Sequence, residues 1–237
     1  MFNQSEFDLR CEWGHQGINQ LAPISNIVII VDILSFSTAV EIATNNGAII
    51  FPYRWKDSSA IDYAKSIEAQ LATKRTSATG YSLSPQSLTK ISPGTKLVLP
   101  SPNGSSLTLL TGSKPTLAGC LRNCEAVARF AQKYGSKIAV IPAGEKWEDG
   151  SLRPAFEDWI GAGAILSCLS GSLSPEAETA VAVFNSFKND LLAALKKCSS
   201  GKELIARGFE SDVELAAEIN ISDCVPIFTD NAYVRLN

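Results

Sequence analysis

The chain alternates short apolar runs with amphipathic stretches over its first two-thirds. The clearest apolar run is 27–33, a nearly continuous series of Ile and Val with Asp32 close to its end. Such a run predicts a strand that is buried on both faces, as in a parallel sheet. Further strands are predicted over 6–12, 48–53, 96–99, 115–119 and 137–142.

Helical patterns separate these strands and then dominate the last third of the chain. Between the strands, helices are predicted over 37–46, 57–73, a segment that ends near 110, and 123–134. After the last of these strands, helices are predicted over 155–170, 175–197, 200–207 and 211–219, followed by an extended stretch over 225–235. Glycine and proline interrupt 74–95, which predicts a long loop with one short helix near 85–88.

This order of elements predicts an α/β fold. We expect three layers (α/β/α), with a largely parallel or mixed sheet and the helical C-terminal third packed on it. The sequence shows no internal repeat and no low-complexity linker, so we expect a single domain over residues 1–237.

Composition and charge narrow the class of protein. The net charge is −3 and the basic residues are scattered, which argues against binding to nucleic acid. No apolar stretch is long enough for a membrane span and the N-terminus lacks a signal-peptide pattern, so we expect a cytoplasmic protein. The six dispersed cysteines are expected to be free thiols, and the single histidine, His15, excludes a histidine-rich zinc site. A homodimer is compatible with the sequence but not required by it.

Polar residues follow three of the predicted strands. They are Asp32, the loop Ser101-Pro102-Asn103-Gly104-Ser105-Ser106, and Glu145. Ligands of open α/β sheets bind beyond the carboxyl ends of the strands, and helix starts there favour anions. We therefore expect an anionic ligand at this edge.

Each of these features also has a purely structural interpretation. The 101–106 loop could cradle a phosphate or carboxylate, or it could be a strand-to-helix turn capped by Asn103. Asp32 could cap the following helix, or it could be a magnesium ligand or a catalytic carboxylate.

Acidic residues cluster again after the strand at 137–142. The cluster contains Glu145, Glu148, Asp149, Glu157 and Asp158. Glu157 and Asp158 begin a predicted helix, where acids favour the helix dipole in any case. Several carboxylates beside an anion site would also suit magnesium, which often bridges one or two carboxylates and a phosphate.

Several phosphatase and hydrolase chemistries can be excluded. No cysteine is followed by an arginine at the spacing of a cysteine-phosphatase loop, and Leu34 stands where a haloacid-dehalogenase pattern needs a second acid. One histidine does not support a histidine-phosphatase mechanism. The GxSxG elbow of α/β-hydrolases and a GxGxxG turn after a strand are both absent from the sequence.

The chain resembles the 2-phosphosulfolactate phosphatase family of coenzyme M biosynthesis. The motifs that carry the resemblance, in chain order, are Val31-Asp32-Ile33-Leu34 with Ser37-Thr38, Asn46-Gly47-Ala48, Ser101-Pro102-Asn103-Gly104-Ser105, Gly119-Cys120-Leu121-Arg122-Asn123, Pro142-Ala143-Gly144-Glu145, Phe156-Glu157-Asp158 with Gly161-Ala162-Gly163, Ser200-Gly201, and Gly208-Phe209-Glu210-Ser211-Asp212-Val213. Each motif is modest alone, and their order along one chain makes the resemblance specific.

The resemblance implies an α/β/α fold and magnesium-dependent hydrolysis of a phosphate ester on a small anionic three-carbon acid. On these motifs, Asp32, Glu157 and Glu145 are the expected catalytic residues, and Asp32 and Asp158 the expected metal ligands. The expected substrate-binding residues are Ser101, Asn103, Gly104, Ser105, Arg122, Asn123 and Arg153.

Two departures from the family pattern bear on the substrate. Ser35 stands where the resemblance implies an arginine, and segment 73–80 differs from the Gly-Glu-Arg-Gly-like segment that the resemblance implies, with Arg75 as its only remnant. Losing an arginine removes a bidentate anion contact, for which Lys146 and Arg153 could compensate. We therefore expect a branch that acts on a different phosphorylated acid. The alternative is a non-catalytic binder of a small anionic metabolite on the same scaffold.

Overall fold

A nine-stranded mixed sheet forms the centre of the computed structural model, which describes residues 3–54, 57–77 and 79–236. The strands of the chain are β1 (Leu9–Cys11), β2 (Ile27–Val31), β3 (Ile49–Tyr53), β4 (Gln70–Leu71), β5 (Lys96–Pro100), β6 (Thr116–Gly119), β7 (Ile138–Pro142), β8 (Glu145–Lys146), β9 (Leu152–Arg153), β10 (Pro226–Thr229) and β11 (Ala232–Arg235). The large sheet has the order β1-β7-β2-β6-β10-β11-β3-β5-β4, and β8 and β9 form a separate antiparallel ribbon.

Helices connect most of the strands and make up the C-terminal third. They are α1 (Gly14–Leu21), α2 (Phe36–Asn45), α3 (Ser58–Ser66), α4 (Pro85–Leu88), α5 (Gly104–Leu110), α6 (Cys124–Tyr134), α7 (Phe156–Ser167), α8 (Pro175–Phe187), α9 (Leu191–Lys197), α10 (Ser199–Ala206) and α11 (Glu210–Ala217). No helix among the described residues is long and apolar enough to cross a membrane.

The alternation of side chains along β2 shows why helices cover both faces of the sheet. Ile27, Ile29 and Val31 pack into one apolar cluster with residues of α6, α7 and α8. Val28 and Ile30 point to the opposite face, into a cluster with residues of α1 and α5. Because every residue of β2 is fully buried, the strand needs apolar side chains at each position. The predicted α/β fold is confirmed.

The extended C-terminal stretch forms a hairpin in the middle of the sheet. β10 is antiparallel to β6 and β11 is antiparallel to β3, so the hairpin joins two groups of parallel strands. Tyr233 of β11 is fully buried, and its hydroxyl lies 2.8 Å from the hydroxyl of Thr108 in α5. The sheet is therefore mixed, and the end of the chain completes its core.

The structure corrects two predicted helices. The helix expected over 57–73 ends at Ser66, since Glu68 has a positive φ of 54°, and Gln70–Leu71 continues as an edge strand. The helix expected over 175–197 is interrupted by a 3₁₀ turn at Lys188–Asp190, after which the Asp190 carboxylate accepts a hydrogen bond from Ala193 N. The short helix near 85–88 is confirmed as α4; Ala78, in the same predicted loop, lies outside the described residues.

Candidate active site

Asp32 links the ends of two strands that are not neighbours in the sheet. Its Oδ1 accepts a hydrogen bond from Phe36 N at 3.0 Å, at the start of α2, and its Oδ2 accepts one from Gly104 N at 2.9 Å, at the start of α5. The side chain is buried but still lines a cavity. Asp32 thus supports the first turns of two helices and also lines the cavity.

The start of α5 is more tightly packed than its sequence suggests. A Cβ atom on Gly104 would lie 2.2 Å from Cδ1 of Phe36, so glycine is required here for packing. The N–H group of Gly104 is bound to Asp32, and the buried Ser105 hydroxyl donates to Leu99 O at 2.8 Å. In this arrangement, the N–H group of Gly104 and the hydroxyl of Ser105 are engaged within the protein. Of the four loop residues predicted to bind substrate, Ser101 and Asn103 line the cavity.

Glu145 reaches the cavity from the β8–β9 ribbon. Asn103 Nδ2 donates a hydrogen bond to Glu145 Oε2 at 2.9 Å. Burial, followed by repulsion from Asp32 and Glu157, raises the pKa of Glu145 to about 7. A carboxyl group with such a pKa can both give and take a proton near neutral pH.

Arg153 faces Glu145 across the same ribbon, in the register Glu145↔Arg153. Its guanidinium donates to Ser200 Oγ at 3.2 Å and lies 5.8 Å from the centroid of the Trp147 ring. Ser200 lines the cavity, so Arg153 borders the site through that contact.

Asp158 and Glu157 lie behind the cavity. Asp158 accepts hydrogen bonds from Ile33 N at 2.7 Å and from Gly144 N at 2.9 Å, and so holds the segments after β2 and β7 together. Burial, with repulsion from Asp32 and Glu157, raises the pKa of Asp158. Glu157 is also buried and adjoins Cys198, where burial and the Glu157 charge raise the pKa of the thiol to about 12. The described residues that line the cavity do not include either acid.

The cavity itself has a volume of about 810 Å³. It lies between the ends of β2 and β5, helix α3, strand β4 with the loop that follows it, and helix α10. Its charged lining residues, among those the structure describes, are Asp32, Asp57, Glu145, Glu203, Lys74, Arg75 and Arg207. Four carboxylates against three cationic groups leave one negative charge in excess when all are ionised.

Arg75 provides a fixed positive charge in this cavity. Its Nη2 donates to Ser35 Oγ at 2.7 Å, and its Nη1 forms an ion pair with the buried Asp212. Asp212 also accepts hydrogen bonds from Ser84 Oγ at 2.6 Å and Gln86 N at 3.0 Å. The carboxylate of Asp212 therefore ties the guanidinium to the start of α4.

Arg207 is a lining residue that the sequence interpretation missed. Its guanidinium carbon and that of Arg75 each lie 5.7 Å from the centroid of the Phe209 ring. One sequence feature could have indicated that Arg207 lies at the site. It stands at the end of α10, seven residues after Ser200 and just before the motif that begins at Gly208. Two arginines thus share one aromatic side chain at the edge of the cavity.

Arg122 and Asn123 lie elsewhere in the fold. Arg122 Nε donates to the buried Glu41 Oε2 at 2.6 Å, and Nη1 forms an ion pair with Glu218. Asn123 accepts a hydrogen bond from Cys120 N at 2.9 Å and donates to Cys224 O at 3.0 Å. Neither residue is brought to the cavity, so this arrangement gives no support to the anion-binding role expected of them.

Metal binding depends on the acids that face the cavity. Within the described ranges, no group of three or more His, Cys, Asp or Glu side chains is arranged to hold a metal ion. Both oxygens of Asp32 and both oxygens of Asp158 accept backbone N–H groups, but only Asp32 lines the cavity, where Glu145 is the second acid predicted from sequence. Any cation here would need ligands from water or substrate in addition to the protein.

The chain matches a known protein family over most of its length. A family model described as 2-phosphosulpholactate phosphatase matches residues 15–231. The chain belongs to this family. The match spans the strand-end segments that carry Asp32, Asn103 and Glu145, as well as Arg75 and Arg207.

Individual relatives within the 2-phosphosulfolactate phosphatase family are distant. The 2-phosphosulfolactate phosphatase of Methanothermobacter thermautotrophicus is 32% identical over 139 residues, which is 58% of each chain. The probable 2-phosphosulfolactate phosphatase of Thermosynechococcus vestitus is 33% identical over 143 residues and is covered to 57% of its length. The probable enzyme of Pseudothermotoga lettingae is 24% identical over 218 residues, which cover 90% of this chain and 95% of that protein.

Proposed function

We propose that this protein is a magnesium-dependent phosphatase that hydrolyses the phosphate monoester of a small 2-hydroxy acid, either 2-phosphosulfolactate or a related compound. The observation that carries this proposal is the cavity that sets Asp32 and Glu145 against Arg75 and Arg207. Carboxylates suit a cation and a proton transfer, and arginines suit phosphate and carboxylate groups. Membership of the 2-phosphosulfolactate phosphatase family supports the same reaction class.

The residues present fit a magnesium ion. Asp32 lines the polar end of the cavity, and a cation beside this carboxylate would offset its repulsion of an anionic substrate. Asp32 would hold the ion, which commonly takes one or two carboxylates together with water and substrate phosphate oxygens. Magnesium would supply charge neutralisation on the phosphoryl oxygens. Asp158 would act through its hydrogen bond to Ile33 N, which fixes the backbone beside Asp32.

Other residues of the site bind the substrate or transfer a proton to it. Arg75, fixed by Asp212 and Ser35, binds an anionic group of the substrate, and Arg207 adds a second positive charge. Glu145, with its pKa of about 7, protonates the alcohol oxygen as it leaves phosphorus. Water forms the new bond to phosphorus, and the products are inorganic phosphate and the free 2-hydroxy acid. Asn103 orients Glu145, and the charge of Glu157 helps to raise the pKa of Glu145.

The first test is phosphate release by the wild-type protein. We would assay 2-phosphosulfolactate, 2-phospholactate and isopropyl phosphate, with magnesium and with EDTA. The proposal expects release from the two acids with magnesium, little release with EDTA, and weak release from isopropyl phosphate, which lacks the carboxylate. Stabilisation against heat by either phosphorylated acid without any phosphate release would favour the non-catalytic binder instead.

A further inference from the structure

The cavity is larger than a three-carbon acid needs. Its volume of about 810 Å³ lies in the upper part of the range for sites that hold drug-sized ligands, roughly 300 to 1,000 Å³. The polar groups described above come from the strand ends, the start of α3, the loop after β4 and α10, and they account for only part of the lining.

An apolar wall forms part of the side of the cavity next to α3 and β4, beside the polar lining residues Asp57, Ser58, Thr73 and Lys74. We use this name for Ala60, Ile61, Leu71, Ala72 and Leu83, all of which line the cavity. α3 packs against β4, and the hydrogen bond from Thr73 N to Tyr81 O, at 2.7 Å, brings the two strand-like segments that carry Ala72 and Leu83 side by side. Ile61 is 46% exposed although it is a large aliphatic residue.

The apolar wall is anchored to the core of the protein. Ala72 and Leu83 pack against the buried cluster that contains Phe36, Leu88 and Leu99. A wall supported in this way keeps its shape when a ligand binds. Its free face is an apolar surface inside a cavity, which is the usual mark of a site for an apolar ligand group.

The distance from the apolar wall to the polar end suits a single small molecule. β4 pairs with β5 in the register Leu71↔Val98, and Val98 precedes Ser101, at the polar end, by three residues. At about 3.3 Å per residue, the wall begins roughly 10 Å along the strand direction from the polar end. A substituent beside a phosphate or carboxylate held at the polar end would have to extend along this direction to contact Leu71.

We propose that the substrate is a 2-phosphorylated 2-hydroxy acid whose third carbon carries an apolar group, aromatic or branched aliphatic, that lies against the apolar wall. This inference rests on the proposed function, because it names the substrate class of the same site. A sulfonate on that carbon would instead bring a strongly hydrated anion against Ile61, Leu71 and Leu83, at a cost in desolvation.

The test compares three phosphate esters that differ only at the third carbon. They are 2-phospholactate, 2-phosphosulfolactate and 2-phospho-3-phenyllactate, and the readout is kcat/KM for phosphate release with magnesium. We expect the phenyl ester to exceed each of the others at least tenfold, since an apolar group in an apolar pocket typically gives discrimination of about 10- to 200-fold. Release from the compact esters with equal or higher kcat/KM would overturn the inference and leave the proposed function standing.

A binding measurement separates the two proposals further. The pair 3-phenyl-2-(phosphonomethyl)propanoate and 2-(phosphonomethyl)propanoate cannot be hydrolysed, so their affinities can be measured by calorimetry whether or not the protein is a phosphatase. At least tenfold tighter binding of the phenyl compound supports the apolar wall as a subsite. Equal affinities for the two phosphonates contradict it, whatever the assay of phosphate release shows.

A pair of matched variants tests whether the preference for the phenyl ester depends on Ile61. Ile61→Asn should lower the ratio of kcat/KM between the phenyl and methyl esters at least fivefold. Ile221→Asn changes another exposed isoleucine, 56% exposed and outside the cavity, and should leave that ratio as in the wild type. Because each side chain is about half exposed and neither belongs to a buried apolar cluster of the described residues, neither change removes core packing. An unchanged ratio in Ile61→Asn would contradict the proposed contact between the apolar group of the substrate and Ile61.

Discussion

The guanidinium of Arg75 donates a hydrogen bond to Ser35 Oγ at 2.7 Å, which joins the segment after β4 to the start of α2. Ser35 stands where the resemblance implies an arginine, and Arg75 comes from the altered segment 73–80. Ser35 has a small side chain, and it accepts a hydrogen bond from the guanidinium of Arg75, which is 40 residues away in the sequence. The cavity therefore keeps a guanidinium beside position 35.

This contact predicts that Arg75 is needed for substrate affinity. Arg75→Ala should raise KM for 2-phospholactate about 10- to 100-fold, since hydrogen bonds to charged groups contribute about 1.5 to 3 kcal/mol. Arg75→Lys should recover only part of the loss because lysine cannot reproduce the bidentate geometry. Arg129→Ala, at an exposed arginine outside the cavity, serves as the control in the same steady-state assay. A KM unchanged in Arg75→Ala would refute the role of this arginine.

Arg122 should contribute to the stability of the fold and not to substrate binding. Arg122→Met leaves the fully buried Glu41 without its cation and should lower the free energy of unfolding by about 3 to 5 kcal/mol. KM should stay at the wild-type value, because the side chain lies outside the cavity. Urea titration and steady-state kinetics measure the two quantities.

A double variant tests whether the unpaired charge of Glu41 causes the loss of stability in Arg122→Met. Glu41→Leu combined with Arg122→Met removes both charges and should recover part of the lost stability. If Arg122→Met instead kept its stability and raised KM tenfold, the arginine would belong to the binding site after all.

The raised pKa of Glu145 predicts how stability depends on pH in metal-free buffer. Its pKa is about 7 in the folded protein against an ordinary value of 4.5, so the unfolded chain ionises first as the pH rises. The free energy of unfolding should therefore fall between about pH 4.5 and 7, and the burial of Asp32 and Asp158 acts in the same direction. For Glu145 the change is about 2 kcal/mol, allowing for partial solvation of the carboxyl.

Glu145→Gln is the matched variant for this pH effect. It keeps the size and hydrogen-bonding capacity of the side chain but removes the titration. In EDTA-containing buffer, the difference in unfolding free energy between pH 5 and pH 8 should be smaller in the variant than in the wild type. Equal differences in both proteins would show that Glu145 titrates normally.

Several strands of the first two-thirds could be predicted because their apolar runs are buried along their whole length. Ile27–Val31 and Ile138–Pro142 are examples, since every residue in them is buried. The central position of the 226–235 hairpin could not be predicted, because pairing partners far apart in sequence leave no local pattern. The edge strand Gln70–Leu71 was missed for a related reason: two residues are too few to show a period of two.

Residues of the candidate site could be predicted from sequence where they directly follow a strand. They were harder to predict where tertiary contacts determine whether a side chain faces the cavity. Asp32, Asn103 and Glu145 meet at the cavity as their positions after β2, β5 and β7 suggested. Gly104 and Arg122 are typical anion-binding residue types, yet the structure uses them for packing against Phe36 and for the ion pair with Glu41. Spacing along the chain cannot distinguish a group that faces a ligand from one that satisfies a buried partner.

The most direct test of the account is phosphate release by Asp32→Asn beside the wild type, with magnesium and 2-phospholactate or 2-phospho-3-phenyllactate as substrate. Asparagine keeps the size of the side chain but removes the charge proposed to hold the cation. Circular dichroism establishes that the variant is folded. We expect kcat/KM to fall at least 1,000-fold in the folded variant. Turnover at the wild-type rate by folded Asp32→Asn would contradict the central role of Asp32.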